Sequence, residues 1–284
     1  MEQPTPATES RFARIQSPSS INTFRQCPRR YYYNYIEKLP TKPSIHLIRG
    51  NIVHSALEDF FKINIENISS PSYEFELRII LLEHFKKHWN MKMTQLNQLG
   101  LSEDELMYYF KDSSDMINNW LDMFYEKVKK KLAKENNLVE AFKVLTPRTE
   151  EEYRSDQEGV RGFIDAIHED EDGIVLMDYK TSKKNVINNA YKLQLAIYAM
   201  LYQEKHKKLP DKVGISFLKF DEQYLDVDES LVDFAKLEVR QVHELTQSKN
   251  KEDYNKKTSP LCKWSTGQCD FYEQCCKDED FECR

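Results

Sequence analysis

Glycine is scarce, 7 in 284 residues, and proline reaches only 10. Those numbers exclude a collagen-like repeat and the Pro/Gly-rich composition of a wholly disordered chain. Nowhere do about 18 apolar residues run together, so no membrane-spanning helix and no membrane partner are expected. Met1 to Gln16 lack the apolar stretch of a secretory leader. They are expected to form a loose tail, and the chain to be cytoplasmic. Internal repeats are absent. Excess positive charge is lacking too: the net charge is -6.

What is present is a composition 40% hydrophobic and 31% charged, enough for a real core under a heavily charged surface. The length suits one large domain, or a core carrying a helical insertion. Charge is unevenly spread. Residues 1–50 hold eight Arg and Lys against three Glu, a balance of +5 that leaves -11 for the rest. A basic segment beside an acidic site suits work on a phosphodiester, and equally suits a solvated helical face.

Ser17-Pro18 has the form of an N-cap followed by proline at the first helical position, predicting a short helix with Ile21 and Phe24 inward and a break near Cys27-Pro28. The aromatic run Tyr31, Tyr32, Tyr33 and Tyr35 fits core and rim better than base stacking. A helix is expected from about His46 to Ile65, and two or three more between Tyr73 and about Lys134, where Ile117, Trp120, Leu121, Phe124 and Val128 keep helical spacing. Lys127, Lys129, Lys130, Lys131 and Lys134 are expected on a solvated face, with lining a substrate channel as the other use for them. Strand-type runs follow at Ala141–Leu145, Glu150–Tyr153, Val160–Ile167 and Gly173–Tyr179, with Asp172-Gly173 as a hairpin turn. A helix from about Ile187 to Lys205, strands at Val213–Phe220 and Gln223–Val227, and a helix from Glu229 to Ser248 complete an α/β pattern with a mixed sheet.

Chemistry concentrates at Gly162-Phe163-Ile164-Asp165 and Met177-Asp178-Tyr179-Lys180-Thr181. A hairpin joining those strands would bring Asp165 and Asp178 together. Close carboxylates repel and call for a cation, and hard divalent ions such as Mg²⁺ or Mn²⁺ prefer oxygen ligands. Asp178 and Lys180 are two apart, so on a strand they share a face and put an ammonium beside the metal. There it could hold or deprotonate an attacking water and balance phosphate charge.

These two motifs, with Gln194-Leu195-Ala196-Ile197-Tyr198 after them and Gly50-Asn51-Ile52-Val53-His54-Ser55-Ala56-Leu57-Glu58 before them, resemble the G-x-x-D, D-x-K, Q-x-x-x-Y and G-x-x-x-H-x-x-L-E motifs of the RecB-type PD-(D/E)XK nucleases. Their order and spacing agree over about residues 17–60 and 148–200. The resemblance implies metal ligation by His54, Asp165, Asp178 and the Tyr179 carbonyl, and a catalytic role for Lys180. Gln194 would bond near Lys180 or the substrate, and Tyr198 would support the site or touch DNA. One of Glu150, Glu151 and Glu152 could be an acid behind the ligands, but none is assigned. The implied activity is metal-dependent cleavage of DNA, single-stranded by expectation, as an exonuclease or flap-type endonuclease in repair, recombination or CRISPR adaptation. A non-catalytic DNA-binding scaffold and an RNA nuclease are the alternatives. The phosphate loop G-x-x-x-x-G-K-[ST] is absent, so any unwinding would come from a helicase partner.

Six cysteines remain: Cys27 near the start, then Cys262, Cys269, Cys275, Cys276 and Cys283. Clustered cysteines in a cytosolic chain favour metal over disulfides, and thiolates select zinc or iron–sulfur. One early cysteine and three late ones resemble the cluster-bearing branch of the same nucleases, which includes CRISPR-associated adaptation nucleases and AddB-type subunits. That implies a [4Fe–4S] cluster on Cys27, Cys262, Cys269 and Cys275, with Zn²⁺ as the alternative. Six residues separate Cys262 from Cys269 where the family commonly has two, so Ser265–Gln268 has the look of a small insertion. Cys276 could replace Cys275, and Cys283 is expected to be a spare thiol. The expected architecture is therefore an α/β PD-(D/E)XK restriction-endonuclease-like core (137–250), N-terminal helices (17–66), a helical insertion (67–136) and a cysteine cap (251–284) that joins the two ends.

Overall fold

The computed structural model describes residues 12–135, 137–264 and 267–277. Most of the expected tail, Ser265 and Cys283 lie outside them. Among the described residues the helices are α1 (Pro18–Gln26), α2 (Pro28–Tyr31), α3 (Ile45–Phe60), α4 (Tyr73–Met91), α5 (Met93–Asn97), α6 (Glu103–Glu135), α7 (Leu138–Leu145), α8 (Asn189–His206), α9 (Glu229–Leu245) and α10 (Tyr272–Lys277). The strands are β1 (Arg148–Ser155), β2 (Val160–Asp170), β3 (Gly173–Lys180), β4 (Lys212–Phe217) and β5 (Glu222–Asp226), with a small hairpin of β6 (Lys263–Trp264) and β7 (Gly267–Gln268). No helix among these residues is long and apolar enough to cross a membrane.

The five strands form one sheet in sequence order, antiparallel except for the parallel pair β3–β4. That parallel step needs a crossover, and α8 supplies it. Apolar side chains fill both faces. One core joins α1, α8 and α9 through Ile21, Leu193, Ile197 and Val239 to Ile164 and Leu176 of the sheet. The other joins α3, α4, α6 and α7 through Leu57, Leu81, Trp120 and Phe142 to Ala166, Met177 and Tyr179. Strand β3 thus sends alternate residues to opposite cores, which places Tyr179 with the second and leaves Asp178 and Lys180 on the α8 side.

Several expectations change. Ala141–Leu145 is the end of helix α7, not a strand. Asn137 caps it by accepting from the Val139 and Glu140 amides, and Leu138, Ala141, Phe142 and Leu145 bury one helical stripe. Helix α3 ends at Phe60, and Ile65 sits in a 3₁₀ turn. Gln16 is buried rather than part of a loose tail: its N–H donates to Gly159 O at 2.8 Å and its carbonyl accepts from Arg161 at 2.9 Å. The lysine face of α6 is not wholly solvated. Lys131 is buried against Asp170 (3.0 Å), Glu171 (3.5 Å) and Asp172 (3.7 Å), and Lys127 pairs with Glu222 at 2.7 Å. Tyr31 and Tyr33 are fully enclosed, the core reading of the aromatic run.

Candidate active site

The β2–β3 ladder runs from Asp170↔Gly173 to Ala166↔Met177 and stops there. Past that point side chains replace ladder bonds. The Tyr179 N–H donates to Asp165 Oδ2 at 2.7 Å, while the Tyr179 carbonyl lies 2.9 Å from His54 Nε2. His54 comes from the middle of α3, and its other nitrogen is 3.4 Å from Asp165 Oδ2 and 4.0 Å from Glu150 Oε1. His54, Glu150 and Asp165 form a trio whose ligand atoms all lie within 4.8 Å of one another.

Asp178 sits deeper, 2% exposed. Gln194 Nε2 donates both to Asp178 Oδ1 (2.7 Å) and to the Tyr198 hydroxyl (2.8 Å). Asp178 Oδ2 lies 2.6 Å from Lys180 Nζ in a charge-to-charge contact, and has no hydrogen-bond partner otherwise. Lys180 also stands 5.5 Å from the centre of the Tyr191 ring, at the start of α8. Tyr198 is buried, which gives it a supporting position behind Gln194 rather than one open to DNA.

Glycine is needed at position 162 for this support. A Cβ there would meet Tyr198 Cε1 at 3.0 Å, tighter than ordinary contact. Gly162→Ala is expected to displace the Tyr198 ring and cost about 1–3 kcal/mol of stability by overpacking. Denaturant unfolding measures that cost, and an unchanged midpoint would remove the steric argument.

Electrostatics describe a site short of positive charge. Burial works against ionisation of Glu150, and nearby Asp165 adds to it, raising its pKa to about 7. Burial likewise pushes Asp178 up, to about 6, with Asp165 contributing and Lys180 opposing. His54 loses charge by burial but gains more from Asp165, and stands at about 9. Asp165 is buried too, yet His54 and the Tyr179 N–H hold it below the usual carboxylate range. Protons are thus retained where a cation would displace them. The orphaned Asp178 Oδ2, the carboxylates and the neighbouring Tyr179 carbonyl are a donor set that fits a hard divalent ion.

Sequence reasoning leaves Glu150 unassigned. Its backbone has φ 51, a left-handed conformation uncommon outside glycine, directly beside the trio. Three consecutive glutamates are the available signal, and strand alternation alone does not choose among them.

The four cysteines assigned from the sequence are not in disulfides, whereas Cys276 is, which removes it as a substitute for Cys275. The extra residues between Cys262 and Cys269 form the β6–β7 hairpin, and Cys269 N donates to Cys262 O at 2.9 Å. The longer spacing therefore keeps the two cysteines adjacent. Burial raises the Cys269 thiol, the Phe271 amide and Arg30 oppose it, and Cys27 is close enough to act on it. The surrounding segment docks on the N-terminal helices: Arg29 Nε donates to Tyr254 O (2.8 Å), Arg30 pairs with Asp270 (3.9 Å), and Tyr33 packs on Phe271.

Residues 16–276 match the sequence profile of the PD-(D/E)XK nuclease superfamily. The chain belongs to that superfamily. Among curated proteins this PD-(D/E)XK nuclease is similar to the larger ATP-dependent helicase/nuclease proteins of Clostridium botulinum, which are the A-type subunits of their complexes. Identity is 25% over 197 residues in strain Loch Maree and 25% over 201 residues in strain Hall. Each match takes in 60% of this chain but 15% of the relative, so the chain spans a small part of those proteins. The cysteine pattern, by contrast, resembles B-type subunits. A crystal structure of a candidate exonuclease from Eubacterium rectale shares the fold, with a TM-score of 0.51, 13% identity, and coverage of 99% of this chain and 96% of that one.

Proposed function

We propose that this nuclease hydrolyses phosphodiester bonds of DNA, preferably single-stranded, as an exonuclease or flap-type enzyme. The observation that carries the reading is the gathering of His54, Glu150 and Asp165 within 4.8 Å beside the buried Asp178–Lys180 pair. A non-catalytic scaffold would have no use for that uncompensated charge. The relatives named for both helicase and nuclease favour a helicase as partner.

His54, Glu150, Asp165, Asp178 and the Tyr179 carbonyl would hold Mg²⁺ or Mn²⁺. The bound ion would polarise a phosphoryl oxygen and lower the pKa of a water. Lys180 stays an ammonium, because Asp178 and Asp165 outweigh the burial that works against its charge. Its role is therefore to balance charge developing on the phosphate, not to remove a proton. Gln194 fixes the Asp178 carboxylate, and Tyr198 fixes Gln194.

At the opposite end, Cys27, Cys262, Cys269 and Cys275 would hold a [4Fe–4S] cluster as a structural staple. A single zinc ion at about 2.3 Å from each thiolate would draw the sulfurs to within about 3.8 Å of one another. Among the described residues no cysteine trio lies within 4.8 Å, so the spacing suits a larger group better.

The nuclease reading is tested with single and double strands labelled at the 5′ or 3′ end. Cleavage should require Mg²⁺ or Mn²⁺, favour single strands, and stop in excess chelator. Robust cutting without metal, or none on any DNA, would sink it.

A further inference from the structure

An open cleft of about 410 Å³ adjoins the Asp178–Lys180 pair. Its lining includes His46, Arg49, Lys180, Ser182, Lys183 and Tyr191, and no acidic residue. Lys180 belongs to both places, so the cleft opens onto the reacting atoms.

Arg49 is the fixed part. It is 2% exposed, donates to Asp112 Oδ2 at 2.5 Å, and reaches the Thr181 carbonyl at 3.3 Å. Its Nε is buried without an acceptor. Asp112 also receives Lys219 Nζ at 2.5 Å. Two cations thus share one carboxylate, and the trio keeps a surplus positive charge. The network spans α3, α6 and the segments after β3 and β4, so it is held from several directions. Lys183 is exposed and makes no ion pair among the described residues. Partial burial lowers the His46 pKa, and the positive charges of Arg49 and Lys183 lower it further. A cleft wall with buried cationic backing, a free lysine and a serine hydroxyl is complementary to a phosphate group.

We propose that this cleft is a phosphate subsite, holding the phosphodiester next to the one being cut, with Lys183 and Ser182 contacting it and the Arg49–Asp112–Lys219 network positioning the wall. This rests on the nuclease reading above. It adds that register along the strand is set on the Thr181–Lys183 side of the metal site. Contacts to phosphates orient a strand without reading its sequence, so the subsite carries no base preference.

The test uses the full chain. Binding of a dye-labelled single strand is followed by anisotropy on an Asp178→Asn background, with and without Lys183→Ala, over a range of salt. Loss of one phosphate contact should weaken binding and reduce the slope of log K against log salt by about 0.7. Separately, strands carrying a neutral methylphosphonate on one side or the other of the cleaved bond are given to the active enzyme. One side alone should slow wild type, and Lys183→Ala should be insensitive to that same replacement. Strands ending in phosphate or hydroxyl distinguish an internal linkage from a terminal phosphate: dependence on the terminal phosphate alone would overturn the internal assignment. Arg49→Lys, which keeps the charge but loses the fork, should blunt the same side's sensitivity. Equal salt slopes, or equal slowing of both enzymes by the methylphosphonate, would overturn the subsite while leaving the nuclease reading intact. A wild-type protein that neither binds nor cuts DNA would overturn both.

Discussion

Asp178→Asn should reduce DNA cleavage on the order of a thousand-fold, the several kcal/mol that a bound metal supplies to such a transition state. The amide keeps an oxygen for the Gln194 hydrogen bond but loses the anionic ligand. The fold should persist. A carboxyl whose folded pKa is raised above its unfolded value stabilises the native state at low pH, and loses that contribution as pH rises through the folded value near 6. At neutral pH without metal, the Asp178 charge therefore opposes folding, and its removal should leave thermal stability unchanged or higher. Such a trade between stability and activity is common at functional sites. Turnover on labelled single strands together with the unfolding midpoint decides the matter. A variant that cuts at the wild-type rate would show Asp178 to be dispensable, and one that unfolds would show it to be structural.

Cys27→Ala should have the largest effect on stability. Anaerobically purified wild-type protein is expected to be brown, with about four irons per chain. The substitution should bleach it, because Cys27 is the single N-terminal ligand of the proposed set. It would also release a cross-link that closes a loop of over 230 residues, worth about 5 kcal/mol on a chain-entropy estimate. Activity should fall indirectly, since His54 lies 27 residues after Cys27 and depends on how the N-terminal helices are held. Iron analysis, the visible spectrum and thermal unfolding are the readouts. Colourless wild-type protein with stoichiometric zinc would refute iron–sulfur but keep the staple. A metal-free, stable and active wild-type protein would refute both.

The sequence is most legible where function restricts chemistry. Asp178 and Lys180 share a strand face because strand periodicity is two, and the Asp172-Gly173 turn sets the register that places Asp165 beside them. Helix α8 follows from its apolar stripe. Helix α7 does not: Ala141-Phe142-Lys143-Val144-Leu145 is too short for periodicity to separate strand from helix, and the Asn137 cap that decides it lies outside the run. Glu150 escapes because its place depends on one left-handed backbone residue. The Arg49–Asp112 pair is invisible for another reason. Its partners are 63 residues apart, on helices whose mutual packing no local pattern records. Likewise Lys131 reads as part of a solvated face, although three acids at the β2–β3 turn bury it.

The docking of Tyr254 onto the N-terminal helices bears on the order of assembly during synthesis. Tyr254 is wholly enclosed, stacked 6.1 Å from Tyr31, and its carbonyl takes the Arg29 side chain. Those contacts span more than 220 residues, so the first helices emerge from the ribosome long before their core can close. At roughly 5–20 residues per second, they wait about 10–45 seconds with Ile21, Phe24 and Tyr31 uncovered. Contacts of such long range slow folding and prolong exposure to aggregation. The nascent chain is therefore a natural client for chaperones until its last third has been made.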